Sequence, residues 1–408
     1  MNSAGLSAAR WRVAILAMAV AVATWAAWSA AAKAEGPGNG TASVASLGDS
    51  YISGEAGRWA GNTNEEESWI DALGTRAYYD NEGHTAETIA GCHRSLSAEI
   101  YLGGGVNSVN LACSGAKTST FTGESGEFKP GIDFYSSGAN KGQALLLQEY
   151  ARTHNVKMVA LSIGGNNFNF ASVVQDCIED WLTSPSWWQN HCNDDSEVTA
   201  NFTRANVATQ TAAIKGAVQN IHRAMVEAGY RDEMYGIVVQ DYESPIPNGS
   251  GFRYPEEGWE RQEVGGCGFW NADANWANES ALPTIDSAVH NGATEAGYTN
   301  VKLMYLGSAF NSRRLCENTV GLLEERGLTS WRAAGAVDRT EWVNQVRTVS
   351  ALFGEYRLQE DLHPNYWGQL ALRNCLRQAY NSGAPRSGTC TRTGTGLTAG
   401  GEPVMTLR

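Results

Sequence analysis

The chain is short of positive charge. Only 30 lysines and arginines stand against 43 acids in 408 residues, a net charge of -13. That balance repels phosphate backbones and anionic lipid faces, which excludes nucleic acid as a partner and electrostatic docking on acidic membranes. Metal-ligand spacings are missing too: there is no C-x-x-C, no H-E-x-x-H and no close Cys/His cluster, so no zinc is expected. No G-K-S/T phosphate loop occurs, and no serine has glycine both two before and two after it, which removes the nucleophile elbow of the α/β-hydrolases. The string Gly394-Thr395-Gly396-Leu397-Thr398-Ala399 fits a dinucleotide pattern but sits in the tail after Cys390 with no helix behind it. No internal repeat is found, and no cofactor is expected.

What is present points outside the cytosol. Met1 to Ala34 carries Arg10 and Arg12, an apolar run from Val13 through Trp28, then Ala32-Lys33-Ala34. This reads as a secretory signal cleaved after Ala34, with an uncleaved anchor as the alternative. Removing Arg10, Arg12 and Lys33 takes the charge from -13 to -16. All eight cysteines, Cys92, Cys113, Cys177, Cys192, Cys267, Cys316, Cys375 and Cys390, lie in the exported part. An even count there suggests four disulfides, and pairing sequence neighbours (92 with 113, 177 with 192, 267 with 316, 375 with 390) is the simplest arrangement.

With 42% hydrophobic residues the chain can bury a large core. After a leader over 35–41, apolar runs at 42–47, 106–112, 156–163, 234–240 and 301–306 read as buried strands. Helical stripes at 143–154, 205–228, 282–296 and 367–380 alternate with them. That pattern gives a three-layer α/β fold with a central parallel sheet of about five strands covered on both faces. One domain over 42–390 is expected, with insertions at about 54–105, 168–203 and 244–280, and a flexible Gly/Thr-rich tail over 391–408.

Chemistry enters at Leu47-Gly48-Asp49-Ser50. Ser50 stands at the mouth of the first strand, where a hydroxyl becomes a nucleophile given a base and oxyanion donors. As a mere turn, Gly48 and Asp49 would supply the bend and Ser50 a helix cap. Gly115 and Asn166 each follow a strand end, so all three should share the rim where such sheets hold their ligands. Of seven histidines, His363 stands apart, in Glu360-Asp361-Leu362-His363-Pro364, with carboxylates close enough to orient an imidazole.

Gly48-Asp49-Ser50, Gly115, Gly164-Gly165-Asn166-Asn167 and Asp361-Leu362-His363-Pro364, in this order, resemble the four blocks of the SGNH hydrolases, the GDSL lipases and esterases. The Gly91-Cys92-His93-Arg94-Ser95 string looks most like their secreted actinobacterial branch. The resemblance implies a flavodoxin-like α/β/α domain, Ser50 as nucleophile and His363 as general base. It places the oxyanion hole at the Ser50 and Gly115 amides and the Asn166 side chain. Two positions depart from the family pattern. Asn167 stands where an aspartate is usual. The usual Asp-x-x-His is split between Glu360, which has the spacing, and Asp361, which has the residue type, so Glu360, Asp361 or a backbone carbonyl would orient His363.

The expected activity is a secreted, monomeric serine esterase or lipase cleaving lipid acyl esters, with no stable membrane insertion. A carbohydrate O-deacetylase acting on acylated glycans and a non-catalytic carbohydrate- or surface-binding protein are the alternatives. Trp181, Trp187, Trp188, Trp259, Trp270 and Trp276 fall in the two later insertions. They either pack the insertions' own cores or wall an acyl chain or sugar ring.

Overall fold

The computed structural model describes residues 35–123, 125–347 and 358–408. The expected signal segment lies outside the described residues. Five parallel strands form the centre: β1 (Ala42–Gly48), β2 (Asn107–Asn110), β3 (Asn155–Ser162), β4 (Gly236–Gln240) and β5 (Val301–Tyr305). Their spatial order, 2-1-3-4-5, is that of a flavodoxin-like sheet. Beyond β5 the sheet continues through β6 (Gly388–Leu397), parallel to it, and β7 (Pro403–Leu407), antiparallel to β6. The sheet therefore has seven strands where about five were expected, and 391–408 is ordered structure, not a flexible tail. The threonines of Gly388–Leu397 share one face of the strand, where Thr389, Thr393 and Thr395 are exposed, while Cys390 on the opposite face is buried. The hairpin is held from beneath by α6 (Tyr366–Tyr380) and by the Cys375–Cys390 disulfide.

Alternate residues of each central strand feed two cores. Ala45, Leu47, Val159, Leu161, Ile237 and Val239 pack under α2 (Gln143–Ala151), α4 (Arg204–Glu227) and α5 (Leu282–Glu295). Val44, Met158, Ala160, Val238 and Met304 face Leu370, Leu372 and Leu376 of α6. Three layers follow, because strands buried on both faces must be apolar throughout and need a helix on each side. The four disulfides are Cys92–Cys113, Cys177–Cys192, Cys267–Cys316 and Cys375–Cys390, the neighbour pairing. Among the described residues no helix is long and apolar enough to cross a membrane.

The 168–203 insertion is more regular than its polar composition suggested. It holds α3 (Phe170–Thr183), whose Val173, Cys177, Ile178 and Trp181 are buried. The tryptophans of this insertion and of 244–280 divide: Trp181 and Trp270 are buried with ring centroids 6.0 Å apart, and Trp276 packs edge-on against Phe202, while Trp187, Trp188 and Trp259 are exposed.

Candidate active site

The order 2-1-3 makes the end of β1 the point where chain connections diverge, and crevices open there beyond the carboxyl ends of the strands. Gly48 ends β1 with φ +140°, and a Cβ there would lie 1.9 Å from the Ser162 carbonyl oxygen, so only glycine lets β1 and β3 close up. Gln143 of α2 clamps this residue from both sides, accepting from the Gly48 N–H at 2.7 Å and donating to its carbonyl at 2.9 Å. Asp49 then caps the single turn α1 (Ser50–Ser53), its Oδ1 accepting from the Tyr51 N–H at 3.2 Å. Ser50 therefore sits at the first position of a helix, directly above the sheet.

His363 comes within reach of it: Nε2 lies 2.6 Å from Ser50 Oγ. Its other nitrogen, Nδ1, donates to the Asp361 carbonyl oxygen at 2.9 Å. That bond fixes the tautomer and leaves Nε2 to accept the serine proton. The carboxylates expected as orienting groups do something else. Glu360 is buried, accepting from Trp59 Nε1 at 3.0 Å and from the Tyr78 hydroxyl, and the Asp361 side chain faces the Arg347 amide. Of the three candidates for the orienting role, the structure puts the backbone carbonyl against the imidazole. The reason is the turn. Leu362 is buried in the left-handed region at φ +58°, its N–H bonded to the Asn344 carbonyl at 3.1 Å and its own carbonyl accepting from Tyr51 OH at 3.2 Å.

The expected oxyanion donors stand on the same rim. Gly115, at φ +77°, and Asn166 line one cavity together with Ser50 and His363. Among the described residues no acceptor takes the Gly115 N–H. Asn166 donates one amide hydrogen to the Ala116 carbonyl at 3.0 Å, and an amide group carries a second. The usual aspartate is absent at 167, yet the loop is braced: Asn167 accepts from the Thr118 N–H at 3.1 Å and donates to Thr118 Oγ1 at 2.9 Å and to Gln210 at 3.1 Å. The Cys92–Cys113 disulfide is adjacent to this loop, and the Ser114 N–H donates to the Cys92 carbonyl at 3.0 Å.

Several site residues gave no sequence signal. Tyr242, just beyond β4, donates to Asp49 Oδ2 at 2.5 Å and accepts from the Gly165 N–H at 2.9 Å, tying the serine turn to the asparagine loop. Burial raises the Asp49 carboxyl to about 7. Glu55 and His93 form a fully buried pair, Nδ1 to Oε2 at 2.8 Å. Burial pushes the Glu55 carboxyl up, but the charge and hydrogen bond of His93 outweigh it, so Glu55 lies below its ordinary value and stays ionised. Burial lowers His363, while the Glu55 charge and the Asp361 carbonyl pull it back up. Glu55 and Tyr242 stand 38 and 193 positions from His93 and Asp49, and of these only His93 lay in a string that the sequence reading used, Gly91-Cys92-His93-Arg94-Ser95.

Ser50 opens on a cavity of about 710 Å³. Beyond the polar rim its walls are Phe170, Val174 and Ile178 of α3 with Pro245, Leu282 and Ile285. A smaller cavity of about 50 Å³ adjoins it, sharing Phe170, Val174, Pro245, Leu282 and Leu362. Glu243 also lines the larger cavity, and burial holds its carboxyl well above the ordinary range. The described residues contain no cluster of three or more His, Cys, Asp or Glu side chains suited to a metal ion.

The four sequence blocks of the SGNH resemblance meet at this rim. Solved structures similar to the chain include an extracellular lipase from Streptomyces rimosus, 17% identical, covering 81% of this chain and 95% of that one with a TM-score of 0.42. Phospholipase A1 from Streptomyces albidoflavus is 19% identical over 81% of this chain and 95% of its own, TM-score 0.39. A family two carbohydrate esterase from Clostridium thermocellum is 10% identical over 83% of this chain and 63% of its own, TM-score 0.36. No family model and no curated protein matches the sequence.

Proposed function

We propose that the chain is an exported serine ester hydrolase of the SGNH type whose substrates are acyl esters of lipids. The observation that carries this is the 2.6 Å contact between Ser50 Oγ and His363 Nε2 at the mouth of a 710 Å³ cavity with apolar walls. Cavities of this size hold ligands as large as a fatty acyl chain.

In this reading Ser50 Oγ attacks the ester carbonyl carbon as Nε2 takes its proton, and the imidazolium holds Nδ1–H on the Asp361 carbonyl. The oxyanion that forms lies against the Gly115 and Ser50 amides and the second Asn166 hydrogen. Collapse breaks the bond to the alcohol oxygen, which leaves with the proton from Nε2. The acyl group stays on Ser50 until water, activated by the same imidazole, releases the carboxylic acid and restores the serine. No step needs a cofactor. Four disulfides support an oxidising, extracellular setting.

Ser50→Ala tests the reading. Turnover of p-nitrophenyl butyrate should fall by about 10⁶ with an unchanged unfolding midpoint, and a fluorophosphonate should label the parent protein stoichiometrically at Ser50. Residual turnover within tenfold of the parent, or no labelling, would end it. Cleavage confined to acetyl groups of acetylated xylan would replace the lipid substrate by a glycan one.

A further inference from the structure

Three tryptophans play no part in the interior. Trp187, Trp188 and Trp259 are 83%, 74% and 61% exposed, the three most exposed large hydrophobic side chains among the described residues. All three adjoin α3, the helix that forms one wall of the cavity. Trp187 and Trp188 follow α3, whose Val174, Ile178 and Leu182 line it, and Leu182 is itself exposed at the surface. Trp259 stands edge-on to Trp181 in the last turn of that helix, ring centroids 6.4 Å apart. The Cys177–Cys192 disulfide ties the segment bearing Trp187 and Trp188 back onto α3.

The charged residues flanking these rings in sequence have one sign. Residues 168–203 contain Asp176, Glu179, Asp180, Asp194, Asp195 and Glu197, with no lysine or arginine. Trp259 lies between the exposed Glu257 and Glu260. The nearest arginine in sequence, Arg261, is buried and turned inward, donating to the Phe269 and Tyr254 carbonyls. Indole rings are favoured where water meets acyl chains, and their faces attract quaternary ammonium groups. Flanking carboxylates add attraction for such a cation and repel an anionic surface.

We propose that this edge seats the protein on a zwitterionic, choline-bearing lipid surface, bringing the cavity mouth against the acyl chains. The proposal rests on reading the cavity as an acyl site.

The test separates docking from chemistry. Ser50→Ala protein is mixed with phosphatidylcholine vesicles at physiological salt, and sedimentation and the indole emission maximum are read. The protein should co-sediment with a blue shift, and should bind phosphatidylglycerol vesicles more weakly. Combining Trp187→Ser, Trp188→Ser and Trp259→Ser should lower partition into phosphatidylcholine by about tenfold or more. The same triple variant with Ser50 intact should turn over soluble p-nitrophenyl butyrate at the parent rate, which also shows that it is folded. Unchanged partition of the triple variant, preference for phosphatidylglycerol, or adsorption to insoluble xylan instead of vesicles overturns the proposal. Vesicle binding by a protein inert toward every ester would instead sink the hydrolase reading and leave the surface standing.

Discussion

Glu360→Gln and Asp361→Asn distinguish the two ways in which His363 can be held. Where a buried carboxylate orients a catalytic imidazole, making it neutral costs about 10⁴ in kcat, or ~5.5 kcal/mol of transition-state stabilisation, because the tautomer is lost. In this protein the Nδ1 acceptor is the Asp361 carbonyl oxygen at 2.9 Å, which Asp361→Asn leaves in place. Its kcat should therefore stay within about threefold of the parent. Glu360 is 1% exposed and accepts from Trp59 and Tyr78, so Glu360→Gln trades a charged acceptor for a neutral one in the core. The cost should fall on stability, at about 1–3 kcal/mol, and appear as a lower urea midpoint with kcat largely preserved. The assay is steady-state hydrolysis of p-nitrophenyl butyrate at neutral pH beside far-ultraviolet circular dichroism. Either variant, still folded, losing about 10³ or more of kcat would show that a side-chain carboxylate orients the base.

Burial holds His363 below its ordinary value, and in the proposed mechanism its neutral form is the base. Activity should be complete at neutral pH and decline as the pH falls through that lowered value, so kcat/KM should show an acid limb with its midpoint below about 6.5. A midpoint above that would contradict the environment described. Glu55→Gln removes the strongest charge pulling His363 upward, so the limb should move further toward acid while kcat drops, and an unmoved limb would clear Glu55 of any influence. Val174→Trp should shorten the acyl cavity. Each methylene denied burial costs about 0.8 kcal/mol, roughly fourfold in kcat/KM, so long p-nitrophenyl esters should suffer and the butyrate should not, whereas a uniform loss across the series would place the acyl chain elsewhere. Replacing Cys375 and Cys390 together by serine should lower stability by about 3 kcal/mol on the chain-entropy model, measured by denaturant unfolding, with the active site intact. No loss would mean that the C-terminal hairpin is held by packing alone.

The sheet and its rim were legible because strands buried on both faces must be continuous apolar runs, as 156–163 and 234–240 are. The serine turn was legible because a Gly-Asp-Ser string directly after such a run leaves few other conformations. The C-terminal hairpin was missed for the converse reason. Gly388–Leu397 is poor in large apolar residues, and what holds it is strand pairing, a disulfide and a helix distant in sequence. The helix α3 hid among polar residues and tryptophans whose burial is decided by their neighbours. At the site, Ser50 and His363 announced themselves by residue type. The orienting group could not, since every residue has a carbonyl and only the turn at Leu362 shows which one is aimed at the ring.

That turn redistributes where the chain tolerates change. The acceptor for His363 Nδ1 belongs to the path of the main chain, so orienting the ring asks for no carboxylate at position 361, and the carboxylate three places ahead of the histidine serves instead as core glue for Trp59 and Tyr78. The constraint moves one residue along, to a non-glycine position held at φ +58° by Asn344 and Tyr51. Drift in this segment would preserve a backbone shape while erasing its spelling, and inspection of the letters alone would then mistake a working base for a lost one.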